Sequence, residues 1–85
     1  MSATTLDQVR LLLGDVLQLG ERTKVLNADS PLFGSIPEFD SMAVVSVLTG
    51  LETRFGIVVD DDEINADIFR TVGALATFVE TKLAA

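Results

Sequence analysis

Glu38-Phe39-Asp40-Ser41-Met42, followed by Ala43-Val44-Val45-Ser46-Val47-Leu48-Thr49-Gly50-Leu51-Glu52-Thr53-Arg54-Phe55 and closed by Gly56, is the stretch whose reading decides the fold. Val44, Val47, Leu48, Leu51 and Phe55 recur at three- and four-residue spacing, the period of one buried helical face. Gly56 ends the run as a residue free to take the left-handed conformation after a helix. Asp40 and Ser41 both suit a helix N-cap, which sets the Ser41 hydroxyl at or inside the first turn. There the unpaired backbone N–H groups and the positive end of the helix dipole favour an anion beside the serine oxygen. On local chemistry alone, an Asp-Ser pair ahead of an apolar helix is simply a cap. Ala43 and Val44 occupy the positions where Glu or Gln would complete a capping box.

Upstream, Thr5 with Gln8 reads as a capping box opening a helix with Leu6, Val9, Leu13, Val16 and Leu17 on one face. Leu11, Leu12 and Leu19 widen its apolar arc, and Gly20 is a natural stop. Gly14 costs about 1 kcal/mol against Ala inside such a helix, so it is expected to mark a close helix contact. Residues 21–39 hold both prolines, Gly34 and the turn formers Asn27, Asp29, Ser30 and Ser35, and read as one long loop. A loop that long needs a reason. Val25, Leu26, Leu32, Phe33, Ile36 and Phe39 are expected to pin it to the core, with a short helical turn near Leu32-Phe33, so that it delivers Asp40 and Ser41 to a fixed point.

Downstream, Ile57-Val58-Val59 is a short extended link and Asp60-Asp61-Asp62-Glu63 an acidic run. The run lacks the alternate carboxylates, the glycine and the distant Glu of a calcium loop. It reads instead as the negatively charged start of a short helix over Ile64, Ile68 and Phe69. Thr71 is the predicted cap of a last helix with the stripe Val72, Leu75, Ala76, Val79 and Leu83, and Phe78 beside it. The sum is an all-α fold: a small four-helix bundle of three main helices and one short one, with a long loop after the first, in a single domain over 1–85.

Composition narrows the chemistry. At 85 residues the chain is expected to bury roughly 60% of its unfolded surface. Almost half the residues are hydrophobic, enough for a core without disulfide or metal. Cysteine, histidine, tryptophan and tyrosine are all missing, which removes the thiol nucleophile, the imidazole base and Cys/His metal clusters. Thirteen acidic residues against six basic give a net charge of −7, a poor match to nucleic acid and a good one to basic proteins. The N-terminal residues carry no basic, apolar targeting pattern and no apolar run spans a bilayer, so the expectation is a cytoplasmic protein without membrane insertion.

With Asp40-Ser41-Met42 at the head of its second helix, the chain resembles the acyl carrier proteins, whose motif there is Asp-Ser-Leu. The likeness runs through the whole chain: a first helix, a long loop, the Ser-bearing helix ending in Glu52-Thr53-Arg54-Phe55-Gly56-Ile57, an acidic short helix, and Thr71 opening the last. The resemblance implies a non-catalytic carrier in which a phosphopantetheinyl transferase moves 4′-phosphopantetheine from coenzyme A to Ser41. The arm supplies the thiol the chain lacks and holds acyl intermediates as thioesters. Asp40 would flank the attachment point, and Met42 would sit where the family's Leu packs beside the arm, a mild change in volume.

The family's fatty acid carriers bear several carboxylates on the outer face of this helix, whereas the matching positions here are Ala43, Ser46, Thr49 and Thr53, with Val45 near the surface. Expected partner-binding residues are therefore Glu38, Val45 and Glu52 together with Asp60, Asp61, Asp62 and Glu63, facing acyl-loading and acyl-using enzymes with basic or apolar docking patches. This pattern implies a specialised acyl, lipid or polyketide-type pathway. Phe39-Asp40-Ser41-Met42 and the Ile57 to Glu63 stretch also resemble carriers linked to bacterial exopolysaccharide and exosortase systems. Peptidyl carriers show Gly-Gly ahead of the serine where this chain has Glu38-Phe39, and a free-standing monomer is expected. Two other readings stay open: a helical interaction domain in which Ser41 only caps its helix, and, more remotely, an enzyme. The aliphatic faces of Leu6, Val44, Leu48, Leu51, Ile68 and Val79 could part to shelter an acyl chain, although a well-packed core has the same sequence.

Overall fold

Val9 and Leu13 from one helix, Val47 and Leu51 from a second, and Val72, Leu75 and Val79 from a third all reach zero solvent exposure. They are the apolar stripes read from the sequence, and their convergence is the core. The computed structural model describes residues 3–32, 36 and 39–84. Its α-helices are α1 (Ala3–Val16), α2 (Ser41–Phe55) and α3 (Val72–Ala84), joined by 3-10 segments at Gly20–Val25, Asp61–Glu63 and Ala66–Phe69. Helix α1 packs on both α2 and α3. Among the described residues there is no strand, only an isolated antiparallel bridge between Pro31 and Thr71.

Several local expectations give way. Helix α1 begins at Ala3, so Thr5 lies inside it; buried, Thr5 donates its hydroxyl proton to Glu80 Oε2 on α3 at 3.2 Å instead of capping. A tertiary acceptor has replaced the local box. Helix α1 also stops earlier than Gly20. Gln18 takes the left-handed conformation at φ 55°, and the Leu19 N–H reaches back to the Gly14 carbonyl at 3.0 Å, the six-to-one bond of a Schellman stop. Gly20, at φ 61°, then opens a 3-10 segment within the stretch expected to be loop. Gly14 does mark a close approach, since a Cβ there would collide with the Thr23 side chain of that segment. The acidic short helix is two 3-10 turns, and Leu83 faces solvent near the end of α3.

The long connection is held more firmly than side chains alone predict. Its backbone runs against the start of α3: Gly73 N–H donates to Ala28 O at 2.9 Å, Val72 N–H to Ser30 O at 3.0 Å, and Leu32 N–H to Arg70 O at 3.3 Å. Leu26, Leu32, Ile36 and Phe39 are buried as expected, while Val25 is exposed. Ile36 N–H donates to Leu32 O at 3.3 Å, and Phe33, in the turn expected there, lies outside the described residues. Phe39 stacks on Phe69 with ring centroids 5.5 Å apart, tilted at 49°. The residue before Asp40 is thereby fixed to the core, and α2 starts from an anchored point.

Candidate functional site

Helix α2 begins with a division of labour between two adjacent residues. Asp40 is the N-cap, extended at φ −118° and ψ −172°, and its Oδ1 accepts the Ala43 N–H at 2.9 Å. Ser41 is the first helical residue, exposed, and among the described residues its hydroxyl has no hydrogen-bond partner. The reading in which Ser41 caps α2 is therefore corrected: Asp40, one residue earlier, reaches the third N–H of the turn, and from the first helical position a serine does not. At the other end Gly56 is left-handed at φ 65°, and its N–H closes on Glu52 O at 2.9 Å.

This end of α2 fits a covalently held phosphodiester. The early N–H groups of an α-helix have no carbonyl within the helix to pair with, and the dipole adds partial positive charge. Asp40 would oppose an anion, but its carboxylate is turned onto Ala43 N–H, within the cap. What remains at the surface is a free hydroxyl beside apolar side chains, Met42 at 78% exposure and Val45 at 62%.

The outer face of α2 is largely as anticipated. Ser46, Thr49 and Thr53 are exposed with Val45, but Ala43 is buried as part of the core cluster. Arg54 leaves this face for α1, donating to Gln8 Oε1 at 3.3 Å with Asp15 Oδ2 3.8 Å away. Glu52 is half-buried and its Oε2 accepts the Val59 N–H at 3.1 Å, so it serves the fold as well as the surface. Asp60, Asp61 and Asp62 are exposed. Glu63 is not a free member of that rim: both its oxygens accept from Lys82 Nζ, at 2.8 and 3.0 Å, and Oε1 also takes the Asp60 N–H at 3.0 Å. The hydrogen bond from Lys82, with that of the Asp60 backbone, holds the Glu63 carboxyl below its ordinary value of 4.5. Glu38 lies outside the described residues.

Two residues join the apolar surface that sequence reasoning left out of it. Val59 and Ile64, from the segment after α2, wall a groove with Val45, Leu48 and Thr49. The unbroken apolar run Ile57-Val58-Val59 carries no periodic signal that tells which of its residues faces the groove.

The family model for the phosphopantetheine attachment site matches residues 7–79. The chain belongs to the acyl carrier proteins. In structure the carrier is similar to the holo acyl carrier protein of Nitrosomonas europaea, solved by NMR, with a TM-score of 0.89 and 60% sequence identity over 94% of this chain and 96% of that one. No curated protein matches it significantly. Carriers of this family are not catalysts, and their cofactor is a covalently attached phosphopantetheine. They work with transferases and acyl-handling enzymes. No described helix of this carrier is long and apolar enough to cross a membrane.

Proposed function

We propose that Ser41 is the residue that takes the 4′-phosphopantetheine, and that Asp40 and Met42 flank the arm. The observation that carries this reading is the exposed, unpartnered Ser41 hydroxyl at the first turn of α2, with the capping role already filled by Asp40. The bound arm supplies a thiol on which acyl groups ride as thioesters. The chain's own residues do the holding. Phe39 anchors the approach to the site through Phe69, Asp40 caps the helix, and the early N–H groups of α2 would hold the phosphodiester. With no histidine in the sequence, the base that takes the Ser41 proton belongs to the transferase.

We further infer a specialised set of partner enzymes rather than the general fatty acid machinery. Support comes from the outer face of α2, where Ser46, Thr49 and Thr53 stand in place of carboxylates with Met42 and Val45 exposed beside them, and from Asp60, Asp61 and Asp62 at its rim. A fitting partner offers an apolar patch to Met42 and Val45 and basic side chains to the three aspartates. The carrier acts as a monomer in the cytoplasm, consistent with its acidic composition. Intact-mass spectrometry of the parent and of Ser41→Ala, each incubated with coenzyme A and a broad-specificity phosphopantetheinyl transferase, tests the attachment: one arm on the parent and none on the variant is the expected result, and an arm on both refutes it.

A further inference from the structure

Arg10, Arg54, Arg70 and Lys82 are dispersed over the molecule, each against a carboxylate: Asp7 at 3.1 Å, Asp15 at 3.8 Å, Asp67 at 2.7 Å and Glu63 at 2.8 Å. The remaining two of the six basic residues, Arg22 and Lys24, lie close together in the 3-10 segment Gly20–Val25, and both are exposed. Glu21 is the one acid of that segment, so it is net positive on a chain of net charge −7. Val25, next to Lys24, is 72% exposed. Arg22 and Val25 border a pocket of about 200 Å³ that Leu19, Leu26, Pro31 and Ile36 also line. Leu19, Leu26 and Ile36 are buried and form its floor, while Pro31 is exposed. Backbone bonds hold both sides of it. Arg22 N–H donates to Leu19 O at 3.1 Å and Leu26 N–H to Thr23 O at 3.3 Å, while the neighbours of Pro31 are tied to the start of α3 through Ser30 O and Leu32 N–H. No lining residue comes from α2 or from the segment after it, so the pocket is separate from the groove beside Val45.

We propose that this pocket is a second docking site, and that it takes a segment of a partner protein in which a large apolar side chain is flanked by carboxylates. A single exposed valine carries no such meaning. Here the valine borders a preformed pocket and belongs to a segment with two cations. The volume lies below the roughly 300–1,000 Å³ of small-molecule sites and suits one anchoring side chain of a protein. Charge sets what flanks that anchor: Arg22 and Lys24 attract an acidic segment, which the acidic remainder of the surface repels. Walls already fixed by backbone bonds reduce the ordering cost of docking. The preference is opposite in sign to that of Asp60, Asp61 and Asp62, so the two surfaces do not compete for the same partner patch.

NMR titration of the isotopically labelled, unmodified full chain with a short capped peptide, Leu-Phe between pairs of glutamates, tests the site. Amide shifts are expected at Leu19, Arg22, Val25, Leu26 and Ile36, and not at Val45 and Thr49 on the outer face of α2. Lys24→Glu is expected to weaken binding about fivefold, the upper end of what one exposed ion pair supplies. Lys24→Arg keeps the parent affinity, and Val25→Ser weakens binding while leaving the thermal midpoint in place. Replacing the glutamates of the peptide by lysines abolishes the shifts at Val25. An absence of shifts, shifts centred on α2, equal affinity in Lys24→Glu, or a lysine peptide that binds as well would each overturn the proposal. Two other occupants have their own signatures, and either would also overturn it. Shifts at Val25 with phosphatidylglycerol vesicles but not with the peptide would assign the pocket to a lipid surface. Shifts at Val25 and Asp61 that grow with concentration in the protein alone would assign it to a second copy of the chain. The protein in these titrations carries no arm, so the outcome does not depend on whether Ser41 is modified.

Discussion

Asp40 and Ser41 are both competent caps by residue type, and one residue of register separates their roles. The Asp40 side chain closes on Ala43 N–H, so Asp40→Ala is expected to cost about 1 kcal/mol in urea unfolding, as other caps do. Ser41→Ala removes an exposed hydroxyl with no described partner and is expected to stay within about 0.5 kcal/mol of the parent. Equal losses at the two positions would return the capping role to the serine. Glu63 makes a second prediction at this scale. Its folded pKa is depressed, so its contribution stands in full above its unfolded value near 4.5 and is lost as pH falls through the lower folded value. The acid limb of a stability–pH profile is therefore flatter in Glu63→Gln than in the parent. Neither assignment was fully legible in sequence: Asp40-Ser41 permits two registers, and a pair 19 residues apart leaves no local pattern.

Helices were readable where a stripe had to be buried. Val44, Val47, Leu48 and Leu51 placed α2, and Gly56 and Thr71 marked a stop and a start that the backbone confirms, Thr71 Oγ1 accepting Ala74 N–H at 3.0 Å. The 3-10 segment at Gly20–Val25 was not readable, because it buries no residue and so carries no periodic signal. The stitching of residues 28–32 to the start of α3 was hidden for a related reason, as backbone pairing is nearly blind to side-chain identity. Gly73 is the exception that could have hinted at it, since a Cβ there would come within 2.8 Å of the Ala28 carbonyl oxygen. Gly73→Ala is expected to destabilise by about 1 to 3 kcal/mol through overpacking, even though alanine favours helices. A thermal midpoint at or above the parent's would show that the loop yields freely.

At the scale of the whole molecule, the core and the acidic surface do separate work. The core fixes where α2 begins, through Phe39 against Phe69, and on the proposed reading the net charge of −7 favours basic partner surfaces at a distance. In the proposed function, contact is made over the exposed apolar side chains next to Ser41, Met42 and Val45. Val45→Asp is therefore expected to raise the transferase KM severalfold with little change in kcat, a loss of uniform binding and not of chemistry. A fall in kcat alone would place Val45 outside the docking surface. Composition removed thiol, imidazole and Cys/His metal chemistry, and the resemblance at Asp40-Ser41-Met42 made the carrier class legible; no local sequence pattern names the partner enzymes.

Fragmentation mass spectrometry of the modified tryptic peptide tests the attachment at Ser41 most directly. The peptide spanning residues 25–54 contains Ser30, Ser35, Ser41 and Ser46 along with Thr49 and Thr53, so the chain supplies its own internal controls. Fragment ions that place a single phosphopantetheine on Ser41 are the predicted result. An arm on any of the other hydroxyls, or a folded parent left unmodified beside a positive control carrier, would contradict it.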